Sequence, residues 1–219
     1  MVAAAVILML VQQAAKEPTP EETAKKAIEK TRGEGSYRAT FKVTLDALVT
    51  EGELVWVKEG VLYLQQKDNM KISRCIVKAA DKTWRYVEIA GEGSWELEPG
   101  AVTGSRHPDL LLAALSKRLA NAKARKDGVD VALGEEDLKA ILQDLGESGV
   151  DQKEASASFD LDGQGRISKV AVAAGKQFSA EVTMTGYNQQ RALAFTLDGK
   201  AVPIDDAILE TIKAVGTKK

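Results

Sequence analysis

A chain of 219 residues with 44% hydrophobic and 28% charged side chains has the make-up of an ordinary globular protein with one or two cores. Thirty Lys and Arg against 32 Asp and Glu leave a formal charge of −2 and no basic cluster to neutralise phosphates, so nucleic acid is not expected as a partner. A single cysteine, Cys75, excludes an internal disulfide, and a single histidine, His107, excludes the multi-histidine sites of most zinc and iron enzymes; no metal and no other cofactor is expected.

Residues 1–15, "MVAAAVILMLVQQAA", carry an apolar run from Val2 to Val11 followed by small residues. A bilayer span takes roughly 20 apolar residues, so this run is too short to cross and suits the central region of a secretory signal peptide. No Lys or Arg precedes the run, and Gln13 interrupts the small-residue pattern before a cut after Ala15, which leaves a buried N-terminal segment as the competing reading. With no cysteine at that point there is no site for lipid attachment, and residues 16–219 are expected to be a soluble, periplasmic or otherwise extracytoplasmic product.

The stretch "TPEETAKKAIEKTRG" opens with Thr19 as a cap, Pro20 in the first turn and Glu22 completing the capping box, so a helix is expected. Ala24, Ala27, Ile28 and Thr31 share its apolar face. From Ser36 the period changes to two: Tyr37, Ala39, Phe41, Val43 and Leu45 alternate with polar residues, the pattern of a strand with one buried face. Five more strand-like runs follow at close spacing, "GELVWVKEG", "VLYLQQK", "KISRCIVKAA", "TWRYVEIAG" and "SWELE", which predicts an antiparallel meander. Leu54 and Trp56 oppose Val55 and Val57, and Leu62 and Leu64 oppose Val61 and Tyr63, so either both sheet faces are covered or one lines an apolar cavity.

Helical spacing returns in "HPDLLLAALSKRLANAKARKDG", with Leu111, Leu115, Leu119 and Ala122 in one stripe, and in "GEEDLKAILQDLG", with Leu138, Ile141, Leu142 and Leu145. Strand patterns resume in "EASASFDLDGQGRISKVAVAAG", "QFSAEVTMTGYN" and "RALAFTLDG", and "IDDAILETIKAVG" reads as a closing helix. One α+β domain, in the order helix, strands, helices, strands, accounts for residues 16–219.

Within "FDLDGQGRIS", Asp160, Asp162, Gln164, Gly165 and Ile167 fall on calcium-loop positions, but the twelfth position is Ala171 where a bidentate glutamate is required, and both flanks are strand-like. The segment reads as a hairpin turn in which Gly163 and Gly165 supply positive φ. No catalytic set assembles. His107 precedes a helix-start proline, Cys75 lies in an alternating strand, Ser94 lacks the full nucleophile-elbow frame, and Glu96 and Glu98 are paired surface acids. Trp56, Trp84 and Trp95 all fall in the first strand block, which fits ordinary core packing or a cavity lined for an apolar ligand.

The leader, "EETAKKAIEKTRG" running into "SYRATFKVTL", then "GELVWVKEGVLYLQQ" and "DKTWRYVEI", two helices and a second strand block together resemble the LolA/LolB family of lipoprotein carriers. "GVDVALGEEDLKAIL" and "FDLDGQGRISKVAV" look closer to the related LprG/LppX-type lipid-binding lipoproteins. The resemblance covers roughly residues 20–203 and is one of element order. It implies a half-open β-barrel, a strongly curved antiparallel sheet whose concave apolar face is lidded by helices, and a non-enzymatic carrier of lipid or lipoprotein acyl chains. It also implies a membrane-associated donor or acceptor protein as a further partner. The lining expected on that basis is Phe41, Val43, Leu54, Trp56, Leu62, Leu64, Trp84, Leu111, Leu115 and Leu142. The alternative is an envelope interaction or sensing module on the same fold, with the interior filled by its own side chains.

Overall fold

The structure is a computed structural model that describes residues 17–57, 60–97, 107–147, 150, 152–189 and 194–216. The leader at 1–15 and Glu98 therefore lie outside the described residues. Helix α1 (Pro20–Gly33) is nucleated as its sequence dictates: the Glu22 amide donates to the Thr19 hydroxyl at 3.2 Å, and the Thr19 amide donates to the Glu22 carboxylate at 2.9 Å. Ala24, Ala27, Ile28 and Thr31 form its buried face.

Six strands then run as a meander, β1 (Ser36–Leu45), β2 (Leu48–Val57), β3 (Val61–Asp68), β4 (Ser73–Ala79), β5 (Lys82–Ile89) and β6 (Glu92–Leu97). Helix α2 (Pro108–Ser116) follows, then β7 (Ala122–Arg125), β8 (Gly128–Gly134) and helix α3 (Glu135–Leu145). β9 (Glu154–Leu161), β10 (Ile167–Ala174) and β11 (Phe178–Thr185) complete a second meander, and β11 pairs back onto β1. All eleven strands form one open antiparallel sheet, in the order β6-β5-β4-β3-β2-β1-β11-β10-β9-β8-β7. This is the curved α+β sheet expected from the sequence, left unclosed between β6 and β7. The chain between those two edges contains α2, so connectivity itself carries that helix across the sheet.

Two elements depart from the sequence expectation. The long helix expected over 107–128 ends at Ser116; a turn over 117–121 then leads into the β7–β8 hairpin. Val129, Val131 and Leu133 are buried while Asp130, Ala132 and Gly134 are exposed, a period-two signal that the leucine stripe upstream masks. In the β9–β10 turn only Gly165 adopts positive φ (73°); Gly163 does not. Asp162 holds that turn by accepting from the Gln164 and Arg166 amides, each at 2.9 Å; burial alone would raise its pKa, but those bonds and the Arg166 guanidinium together lower it.

The last segment forms a separate small hairpin, β12 (Thr196–Leu197) and β13 (Lys200–Ala201), and helix α4 (Asp206–Gly216). It covers the face of β3–β5 turned away from α1–α3. There Phe195, Val202 and Ile208 join Val61, Tyr63, Cys75, Val77, Ala79 and Trp84 in a second core. Tyr63 anchors the strap, accepting from the Thr196 amide at 3.0 Å, and the Trp95 indole donates to the Pro203 carbonyl at 2.8 Å. The strands apolar on both sides are thus covered on both sides.

Candidate functional site

Register decides which side chains share the face under α1–α3. Ala39, Leu54, Leu64 and Ile76 stand opposite one another across β1 to β4, and Tyr37, Trp56 and Leu62 form the neighbouring row. Ile28 of α1, Leu111, Leu112 and Leu115 of α2, and Leu138, Ile141, Leu142 and Leu145 of α3 close over them in one contiguous apolar cluster. Nine of the ten residues expected to line a cavity are here: Phe41, Val43, Leu54, Leu62, Leu64, Leu111, Leu115 and Leu142 within the cluster and Trp56 packed against it. Trp84 is not. Leu64 faces Ile76, and Ile76 faces Arg85, so Arg85 continues the row and Trp84 points into the second core. A shift of one residue along β5 is all that separates the two faces.

The eight fully enclosed members of that set are no more than 5% exposed, so helices and sheet meet side chain to side chain around them. Trp56, half-buried, is where the set reaches open space. It lines an opening of about 560 Å³ together with Lys25, Ile28, Glu29, Arg32 and Gly33 of α1 and Asp109 and Ser116 of α2. Across this opening the Arg32 Nε donates to Asp109 Oδ1 at 2.6 Å, tying α1 to α2 and raising the Arg32 pKa through that bond. Beneath it, the Tyr37 ring stacks on Trp56 with centroids 5.2 Å apart and meets Tyr187 at 6.0 Å. Neither Arg32 nor Asp109 was legible as a site residue, because nothing in a sequence brings positions 77 apart together.

Towards β5 the same face turns polar: Leu62 stands opposite Lys78 and Lys78 opposite Thr83. His107 caps α2 without a side-chain cap hydrogen bond, and its buried Nδ1 has no partner among the described residues. Burial holds its pKa below the usual imidazole value, with Lys78 acting in the same direction and Asp109 opposing. Cys75 is fully buried on the opposite face, its thiol pushed up to about 12 by burial, whereas Ser94 lies exposed on β6 in register with Val87. The structure therefore does not bring Ser94 and Cys75 together. Glu96 pairs loosely with Arg85 at 3.9 Å. Among the described residues no group of three or more His, Cys, Asp or Glu converges as a metal site would require, and no helix is long and apolar enough to cross a membrane.

No family model matches this sequence. Among solved structures, LprF from Mycobacterium bovis superposes with a TM-score of 0.53 at 11% identity, over 79% of this chain and 94% of LprF. The chain has the LprF fold. The Mycobacterium tuberculosis lipoprotein LppX aligns over 80% of this chain and 98% of its own, with a TM-score of 0.48 and 9% identity. At those identities what is shared with LprF is architecture: the curved sheet and the helices packed on it.

Proposed function

We propose that the protein is a non-enzymatic, extracytoplasmic carrier that binds lipid or lipoprotein acyl chains between its sheet and helices α1–α3. Loading would proceed through the opening at Trp56 as α1 and α2 part. The observation that carries this reading is the cluster under the helices: three helices bury only apolar side chains and Thr31 against one sheet face, and that face reaches solvent beside Trp56. Likeness to LprF in fold, and the resemblance of the sequence to lipid-binding lipoproteins, support it.

Magnitudes make exchange of side chains for ligand feasible. Lifting α2 re-exposes Leu111, Leu112 and Leu115, at roughly 1.5–3 kcal/mol each, or about 5–9 kcal/mol in all. An acyl chain burying about 15 carbons gains on the order of 12 kcal/mol at ~0.8 kcal/mol per methylene. The chain can therefore displace the helix, and a short chain of about six carbons cannot. The tight packing of the eight enclosed residues favours the second reading, an interaction or sensing module with a permanently filled interior. Titration with a fluorescent long-chain fatty acid separates them. Saturable uptake at one site, displaced by sixteen-carbon competitors and not by six-carbon ones, supports the carrier; absence of uptake at any chain length sinks it. A donor or acceptor protein at the membrane belongs to the carrier reading and would be sought only after uptake is seen.

A further inference from the structure

Beneath the opening beside Trp56 a polar group is buried. Tyr37 is 3% exposed and its ring is fixed between Trp56 and Tyr187. Its hydroxyl is buried and its proton finds no acceptor among the described residues; the backbone of Asp109 faces the hydroxyl oxygen, and its charged neighbours, Asp109 and Arg32, both line the opening. A buried hydroxyl without a partner destabilises the fold that contains it, so its retention there calls for an explanation. The same place receives the start of α2, where the side chain of His107 makes no cap bond and Pro108 has no N–H to give. The Tyr37 hydroxyl proton is left over, and a buried donor selects an acceptor.

Charge narrows the class of acceptor. Arg32 is matched by Asp109 at 2.6 Å, and Lys25 and Glu29 lie one turn apart on the same rim, so the lining charges cancel. Ser116 has already committed its hydroxyl proton to the Ala113 carbonyl at 2.8 Å. The lining residues thus offer no net positive charge to a carboxylate or phosphate. We propose that Tyr37 donates a hydrogen bond to a neutral carbonyl oxygen, the ester or amide oxygen that joins an acyl chain to its head, and thereby fixes how deep the chain enters. This rests on the acyl-binding reading above.

The test compares the wild-type chain with Tyr37→Phe by competition against bound diphenylhexatriene, using methyl palmitate, palmitate and hexadecane as competitors. The expected result is a loss of about tenfold in methyl palmitate affinity in the variant, the scale of one hydrogen bond, with hexadecane affinity unchanged. Thermal unfolding of the ligand-free variant is expected at the wild-type temperature or above, because the orphaned hydroxyl is gone. Equal ester affinity in both proteins, with hexadecane still bound, overturns the role of Tyr37 and leaves the acyl site standing. A destabilised variant shows the hydroxyl to be satisfied within the protein and overturns it too. Tighter binding of palmitate than of its ester overturns the neutral-oxygen assignment. If the wild type takes up none of the three, both this inference and the reading it rests on fall.

Discussion

Leu115→Ala separates a replaceable interior from a permanent one. Leu115 is 1% exposed on α2 and belongs to the cluster under the helices. Truncating a buried leucine costs about 2–5 kcal/mol, the lost transfer energy plus the cavity left behind. Taking about 3 kcal/mol, and roughly 2–4 °C per kcal/mol for a chain of this size, the ligand-free variant should melt about 6–12 °C below wild type. The space vacated is about three carbons. If an acyl chain enters that layer it fills the gap, regaining on the order of 2.4 kcal/mol and binding roughly 50-fold more tightly than to wild type. Calorimetry with and without saturating palmitoyl ligand, together with a fluorescence titration, reads both effects. Val77→Ala, equally buried but in the second core, is the control: it should lower the melting temperature and leave affinity alone. A Leu115→Ala chain whose melting temperature falls equally with and without ligand, and whose affinity is unchanged or weaker, would refute the reasoning and place α2 in a fixed core.

Other consequences are narrower. Arg32→Ala should cost less than about 1 kcal/mol of stability, because the pair is 42% and 29% exposed and screened, yet it should speed ligand entry in stopped-flow mixing by untying α1 from α2. His107 has a folded pKa below its unfolded value near 6.5, so its contribution is present above that pH and lost as pH falls below it. Urea midpoints should decline from pH 7 to pH 5.5, and by less in His107→Gln. Cys75 has the opposite sign: its raised pKa stabilises below the unfolded value and is lost as pH rises towards about 12, and the native thiol should resist maleimide at pH 8 while the urea-unfolded thiol reacts. Gly52→Ala drives a methyl into the Gln65 carbonyl oxygen and to 2.8 Å from the Phe41 ring, and should abolish stable folding as judged by near-ultraviolet circular dichroism.

What could be read from the sequence was what repeats locally. The alternation from Tyr37 to Leu45 gave β1 with its bounds, and the capping residues from Thr19 to Glu22 gave the start of α1. Leu54 and Leu64 opposite Val55 and Tyr63 left two readings, a sheet covered on both faces or one lining a cavity, and the structure covers both faces. What covers the second face was not legible: the closing strand and helix patterns were, but Phe195, Val202 and Ile208 meet that face only through long-range folding. Trp84 was expected on the helix-covered face from the family resemblance, whereas pairing with Val77 and Leu97 fixes it on the other. The β7–β8 hairpin was hidden because its first residues extend the leucine stripe of α2. Tyr37 was visible as a buried strand residue; that its hydroxyl would be orphaned beneath Asp109 depends on where α2 lands, which only the assembled fold decides.

The central claim is tested most directly by exporting the full chain to a bacterial periplasm, purifying it without detergent, and extracting bound lipid for mass spectrometry. The account predicts an acylated species at close to one molecule per chain, depleted when Trp56 is replaced by a charged residue at the mouth. A chain recovered empty, which also takes up no long-chain fatty-acid probe afterwards, would contradict it and leave a filled interaction module on the LprF fold.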